Sequence, residues 1–310
     1  MLMNLVRQST ARPALRAPGF VGVTCGIGLA AAVLFVSFPG IDFAVTNPFH
    51  VGKQAFLFNF DGPGKDLRRV FKIMFWAAVA GSLVGLLATA FSQHRPFGLD
   101  FPKSLYLVLS FVLAPGVIAN VILKDTWGRA RPFHVTEYGG TQTFTPALMR
   151  SDQCVNNCSF VSGEAAAIYA LFFAIALLAT RQRGRLILLG IAGGTLAGFV
   201  RIAQGGHFIS DVVFAGVFMA LAVRLVHWLV FELGRHALQD GGPVHGRLMG
   251  AGRHSAGAVG RRVVAARAYV RDRTMPALRQ RLQGLRWPAS LDWLALRPKP
   301  KTHQGAPGDS

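Results

Sequence analysis

Acidic residues are scarce in this chain. Fourteen Asp and Glu stand against 33 Lys and Arg, which gives a formal net charge of +19. Charge of either sign is scarce as well: 15% of the 310 residues are charged, 52% are hydrophobic, and the mean hydropathy is +0.39. That balance is unusual for a soluble domain and usual for a chain that crosses a membrane several times. An excess of positive charge ordinarily suggests nucleic acid. No familiar nucleic-acid-binding motif is present, and the charge lies outside the apolar runs, mostly at the two ends and in one short loop. It reads as a topology signal and a contact with anionic lipid headgroups, with no nucleic acid partner. Cysteine is equally sparse, at three. Cys25 lies in an apolar run and reads as packing. Cys154 and Cys158 flank Val155-Asn156-Asn157 in a polar loop. A disulfide fits that spacing if the loop faces an oxidising compartment, and two free thiols fit it otherwise.

Hydropathy divides the chain. Residues 1–19 carry Arg7, Arg12 and Arg16 and no acid. Six apolar runs follow, at residues 20–38, 73–91, 104–123, 165–180, 186–200 and 208–223. At about 1.5 Å of rise per helical residue, they read as membrane spans. The first is too long for a secretion signal and lacks a clear small-residue cleavage site after it. Between it and the second, residues 39–72 read as a polar connection with a turn-rich piece ahead of Lys65, Arg68 and Arg69. Pro115-Gly116 predicts a kink in the third span. The fifth is short, with residues 201–206 capping it at the interface, and Gly190, Gly194 and Gly198 in it predict close helix packing. Arg224 is positioned to snorkel outward from the sixth. In the arginine-rich tail, Val259, Val263, Ala266 and Val270 share a helical face, as do Leu278, Leu282 and Leu285. These read as basic amphipathic helices on a membrane surface, with a disordered basic tail as the alternative. Residues 297–310 read as disordered. The expected fold is all-α: an integral membrane bundle of six transmembrane helices over residues 20–233, between a basic N-terminus at 1–19 and a basic C-terminal tail at 234–310.

Six spans put both termini on one side. The basic N-terminus, the Arg181-Gln182-Arg183-Gly184-Arg185 turn and the basic tail all fall on that side, which the positive-inside rule makes cytoplasmic. The connections at 39–72, 124–160 and 201–207 then share the outer face, with Cys154 and Cys158.

Those outer connections hold three polar clusters. The first is Lys124-Asp125-Thr126-Trp127-Gly128-Arg129-Ala130-Arg131-Pro132, the second Ser159-Phe160-Val161-Ser162-Gly163-Glu164, and the third Arg201-Ile202-Ala203-Gln204-Gly205-Gly206-His207-Phe208-Ile209-Ser210-Asp211. Ionisable groups beside hydrocarbon are a functional hypothesis by default. If the sixth run is helical from about His207, Asp211 shares its face and can hold one ring nitrogen, leaving the other free to attack. Lys124, Arg131 and Arg201 provide three cations suited to the equatorial oxygens of a phosphoryl group. Ser162 and Gly163 open the fourth span, where backbone N–H groups point at an anion. His207 and Asp211 at this spacing also suit a metal, but the neighbouring cations would repel one and no third ligand is evident, so no metal or other cofactor is expected.

This set resembles the type 2 phosphatidic acid phosphatase family, over roughly residues 70–230. Lys124, Arg131 and Pro132 match the family's first motif, a lysine, six residues and Arg-Pro. Ser162 and Gly163 match part of its second, Pro-Ser-Gly-His. Arg201, His207 and Asp211 match its third, with Val200 where the family has serine. The resemblance implies a phosphohistidine formed on His207, which Asp211 orients, and then cleavage by water. Glu164 stands where the family has a histidine that protonates the leaving group. A protonated glutamate can do that, but adjacent cations favour its ionised form. Leaving-group protonation is therefore expected to be weaker here or to come from elsewhere, with His134 as one auxiliary acid. The expected function is a lipid phosphatase at the outer face of the cytoplasmic membrane. Its substrate would be isoprenoid diphosphate, a phosphate of lipid A, or phosphatidylglycerol phosphate. The alternatives are a phosphotransferase using the same intermediate and a non-catalytic protein that binds lipid phosphate.

Overall fold

The computed structural model describes residues 17–58, 63–91, 95–238 and residue 246. The expectations for the first sixteen residues, for the 59–62 turn and for the tail, with its two amphipathic stretches and its final residues, lie outside the described residues.

The protein is mostly helical. In chain order it comprises α1 (Ala17–Ser37), a short α2 (Gly40–Thr46), a two-stranded antiparallel hairpin of β1 (His50–Gly52) and β2 (Ala55–Phe56), and α3 (Pro63–Phe91). Then come α4 (Phe101–Thr126), α5 (Gly163–Leu178), α6 (Arg183–Ala203), α7 (Ile209–Trp228), which runs on through a π-helical turn at Leu229–Leu233, and a short α8 (Arg235–Leu238). Among the described residues five helices are long and apolar enough to cross a membrane: α1, α3, α4, α6, and α7 with its extension. Many of their large apolar side chains lie exposed, Leu29, Trp76 and Leu188 among them, as expected of surfaces facing lipid.

The fourth run behaves differently. α5 has 16 residues, about 24 Å at about 1.5 Å per residue, against about 30 Å for a hydrocarbon core. It packs against α3, α4, α6 and α7, and most of its residues are buried. A helix enclosed on all sides is apolar all round, so its composition resembles that of a span. The α6 glycines make part of this enclosure: Gly190 faces Phe172 and Phe173, Gly194 faces Tyr169, and Gly198 faces Val212 of α7.

Three boundaries correct the reading from hydropathy. α3 begins ten residues before the apolar run, at Pro63 rather than residue 73. Lys65, Arg68, Arg69 and Lys72 end the run without ending the helix, because Lys and Arg are good helix formers and proline is tolerated in a first turn. α6 continues to Ala203, so Arg201 sits in its last turn and not in a capping loop. α7 begins at Ile209, with Phe208 as its N-cap, so His207 precedes the helix. The kink expected at Pro115-Gly116 takes the form of π-helical bonding over Val112–Leu123. Proline has no N–H to give and crowds the preceding turn; the Asn120 side-chain amide donates to the Pro115 carbonyl at 2.7 Å.

The connections preceding α3, between α4 and α5, and between α6 and α7 meet at one end of the helices. Backbone N–H groups of Phe58, Phe133 and Gln54 donate to the carbonyls of Ala203, Gly205 and Tyr138. A second apolar cluster of Phe56, Ala130, Val135, Tyr138 and Phe208 lies among them. Gly205 adopts a left-handed φ of +66°, and a side chain there would run into the Phe56 ring.

Candidate active site

The two arginines of Gly128-Arg129-Ala130-Arg131-Pro132 have separate tasks. Arg129 is completely buried. Its Nη2 bonds Asp42 Oδ2 at 2.7 Å, its Nη1 bonds Asp211 Oδ1 at 2.5 Å and Ser210 Oγ at 2.8 Å, and its Nε donates to the Thr145 carbonyl at 2.8 Å. The guanidinium carbon lies 4.7 Å from the Phe208 ring centre and 5.4 Å from that of Phe144. Asp42 is held again by Ser210, whose backbone N–H and hydroxyl donate to it at 3.0 and 2.8 Å. Taking such charges out of water is costly unless each is paired and hydrogen-bonded, and these are.

Asp211 links this cluster to His207. Its Oδ2 accepts the Ser159 hydroxyl at 2.5 Å and the Phe208 N–H at 2.9 Å. The expected direct bond from Asp211 to the imidazole is replaced. Oδ2 lies 3.7 Å from His207 Nδ1, beyond hydrogen-bond reach, while Nδ1 is 2.7 Å from the Ser159 carbonyl. The late start of α7 is the reason, because Asp211 is spent on capping the helix that His207 precedes. A carbonyl oxygen only accepts, so Nδ1 carries the proton and the lone pair of the neutral ring lies on Nε2. Burial pushes the His207 pKa down to about 3, against the opposing Asp211 carboxylate and with the charges of Arg131, Lys124 and Arg201 acting in the same sense as burial. The imidazole is therefore neutral, with a lone pair to give.

The cations whose fields reach His207 come from three elements. Arg131 donates through Nε and Nη2 to the Asn157 carbonyl at 2.9 and 2.6 Å, and again from Nη2 to Asn157 Oδ1 at 2.7 Å. Burial and the Arg68 charge lower its pKa, and the charges of Asp211 and Glu164 oppose them. Lys124, in the last turn of α4, donates to Asn157 Oδ1 at 3.3 Å. Arg201 donates to Gln204 Oε1 at 2.6 Å and passes over Gly206, where a Cβ would collide with its guanidinium. Ser162 is the N-cap of α5, and Gly163 opens the helix so close to Lys124 that an added Cβ would lie 3.1 Å from Nζ. The Ser162 hydroxyl and Gln204 Nε2 are buried with no hydrogen-bond partner among the described residues. Orphaned polar groups beside a helix N-terminus suit an anionic ligand.

Glu164, in the first turn of α5, is held by Arg68 of α3. Arg68 Nε lies 2.8 and 3.1 Å from the two carboxylate oxygens, Nη2 lies 2.6 Å from one, and Lys72 Nζ stands 3.9 Å away. This is the fork geometry of an ionised carboxylate. His134 is exposed with its ring edge-on to Phe133 at 4.3 Å. Its pKa is lowered, by partial burial and then by Arg131. Cys154 and Cys158 are joined in a disulfide immediately before Ser159. Among the described residues no three His, Cys, Asp or Glu side chains converge as metal ligands would.

Hydropathy and motif spacing assign no role in the site to Asp42, Arg68, Asn157, Ser159 and Ser210. Asp42 had a signal: it is one of few acids and lies next to an apolar run, where an unpaired carboxylate would be costly. Arg68 had none, because its partner lies 96 residues away.

A family model described as the PAP2 superfamily matches residues 103–235. The chain is 34% identical over 209 residues to a lipid A 4'-phosphatase of Francisella tularensis subsp. novicida, a match covering 65% of this chain and 91% of that protein. It is 33% identical over 199 residues to a lipid A 4'-phosphatase of Rhizobium leguminosarum, covering 59% and 84% of the two. A lipid A 1-phosphatase of Rhizobium johnstonii is 29% identical over 248 residues, covering 78% of this chain and 93% of that one. No solved structure matches.

Proposed function

The chain belongs to the PAP2 superfamily, and from that premise we propose that it is a membrane phosphatase removing a phosphate monoester from lipid A through a phosphohistidine on His207. The observation that carries the mechanism is the Ser159 carbonyl on Nδ1, which leaves the Nε2 lone pair available among Arg131, Lys124 and Arg201. The relatives named lipid A 4'-phosphatase and lipid A 1-phosphatase support lipid A over the other two substrates considered. Relatives at 34% identity carry both the 4'-phosphatase and the 1-phosphatase name, and the proposal covers either monoester.

In the first step Nε2 attacks phosphorus and the bond from phosphorus to the sugar oxygen breaks. Lys124, Arg131 and Arg201 hold the charge on the equatorial oxygens, with the Gly163 backbone at the α5 N-terminus. The ring becomes cationic; its Nδ1–H stays on the Ser159 carbonyl, and the Asp211 carboxylate nearby stabilises the charge. Water then attacks phosphorus, the bond from Nε2 to phosphorus breaks, and orthophosphate leaves. The sugar oxygen takes up one proton and the attacking water gives one up, so the steps balance. Glu164, held as a carboxylate by Arg68, is a poor source of that proton.

The proposal places the site at the outer face of the cytoplasmic membrane, with both termini cytoplasmic. The basic turn at Arg181, Arg183 and Arg185 at the opposite end of the helices and the disulfide beside the site support this orientation. The test is phosphate release from lipid A by purified protein in detergent with EDTA. Wild type should release phosphate and His207→Ala should not. Release that survives the substitution would overturn the mechanism.

A further inference from the structure

We propose that Arg68 is a fourth phosphate ligand and that Glu164 is the internal anion it grips until substrate arrives. Substrate phosphate would then displace a carboxylate from the cradle. The inference rests on the lipid phosphatase reading above.

Arg68 spends Nε and Nη2 on Glu164, and the same planar fork fits two phosphate oxygens. The side chains are 17% and 21% exposed, so water and ligand reach the pair. Arg129 and its two carboxylates, by contrast, are fully sealed. Arg68 also belongs to the cradle electrically. Its charge acts on Arg131 and Arg201, and Glu164 feels Arg201, Arg68 and Lys72 together. Glu164 lies in the first turn of the helix that Ser162 caps and Gly163 opens, so its carboxylate sits where cations and helix N-terminus converge.

The chemistry gives the direction of exchange. A phosphate monoester carries more negative charge than a carboxylate and accepts from more donors, so it competes well for Arg68. The carboxylate relieves repulsion among clustered cations in the unliganded protein and returns to Arg68 after hydrolysis, which promotes release of orthophosphate. Glu164 therefore sets affinity against its own enzyme, a role opposite in sign to that of an acid catalyst. Arg68 binds substrate, and Glu164 is a positioning residue acting through it.

The probe is orthophosphate, titrated calorimetrically into the full-length protein in detergent, with steady-state kinetics on lipid A alongside. Glu164→Gln should bind orthophosphate about tenfold more tightly and lower KM. Arg68→Ala should bind about tenfold more weakly and raise KM, and Arg68→Lys should recover part of the loss because it restores the charge without the fork. In the double variant the gain from Glu164→Gln should vanish. The proposal is overturned if Glu164→Gln weakens binding, if it lowers kcat and removes a limb of the pH profile as loss of an acid would, or if its gain survives Arg68→Ala. Thermal unfolding of each variant confirms that folded protein is compared, and Glu164→Asp, one methylene short of Arg68, should repeat the tightening. Repeating the titrations in His207→Ala separates the two claims: hydrolysis can fail there while the response to Arg68 and Glu164 persists.

Discussion

Two groups of charge meet at the same end of the helices and obey different rules. Asp42, Arg129 and Asp211, with Ser159 and Ser210, form a sealed group in which every charge has its partner. Arg68, Lys72, Lys124, Arg131, Arg201 and Glu164 form a second group, with Arg131 and Arg201 buried and Arg68, Lys72 and Glu164 partly open to solvent, in which cations outnumber carboxylates among the described residues. The sealed group can gain nothing from a ligand. It holds three connections together and, through Ser159, fixes which nitrogen of His207 carries the proton. The second group carries an excess of positive charge among the described residues, which an anion would offset. Adjacent members of one sequence motif, Arg129 and Arg131, thus serve architecture and chemistry respectively.

Substitutions should separate the groups. Arg129→Met leaves two carboxylates buried without their cation, and breaking a buried pair in this way costs about 3–5 kcal/mol. The expected outcome is a large fall in unfolding temperature in detergent, with activity lost as a consequence. Arg131→Met should shift the balance: a smaller fall in unfolding temperature than Arg129→Met, since it breaks hydrogen bonds to Asn157 but no ion pair, and kcat/KM for lipid A lower by about 10²–10³, the usual cost of one donor to a charged transition state. Equal effects of the two on stability would erase the distinction.

A third prediction uses pH. The His207 pKa falls from its ordinary 6.5 to about 3 on folding. Between those values the unfolded chain binds a proton that the folded one does not, so stability is lost as pH falls from 6.5 toward 3. Denaturation curves across that window should be flatter with pH in His207→Gln than in wild type. Activity should show no acidic limb near 6.5 from His207, because the lone pair persists well below that value.

The smallest effect is expected at His134. Loss of a general acid costs about 10²–10⁴ in rate. His134 is exposed and its pKa lies below the ordinary value, so His134→Ala should cost far less than about 10² in kcat at neutral pH. A loss in the full range would make it the missing acid.

Much of this was legible in sequence, for physical reasons that also mark the limits. Apolar runs identify helices that lie among lipid or other helices: a helix coincides with each run, and five of those among the described residues are long enough to cross a membrane. They do not report helix ends, because Lys65 to Lys72 are charged and helical together, and they cannot tell α5, buried in protein, from a helix bathed in lipid. Motif spacing found Lys124, Arg131, Arg201, His207 and Asp211, which meet from distant parts of the chain. It mistook the partner of His207, because a spacing of four matters only inside a helix and α7 starts two residues late. The bonds from Arg129 to Asp42 and from Arg68 to Glu164 span 87 and 96 residues, and no local pattern encodes them.

The most direct test of the account is to quench the enzyme during turnover of lipid A labelled with radioactive phosphate and examine the protein. The label should be stable to alkali and labile to acid, as phosphohistidine is, located on His207 and missing in His207→Ala. Turnover by wild type with label on another residue, or the same label in His207→Ala, would contradict it.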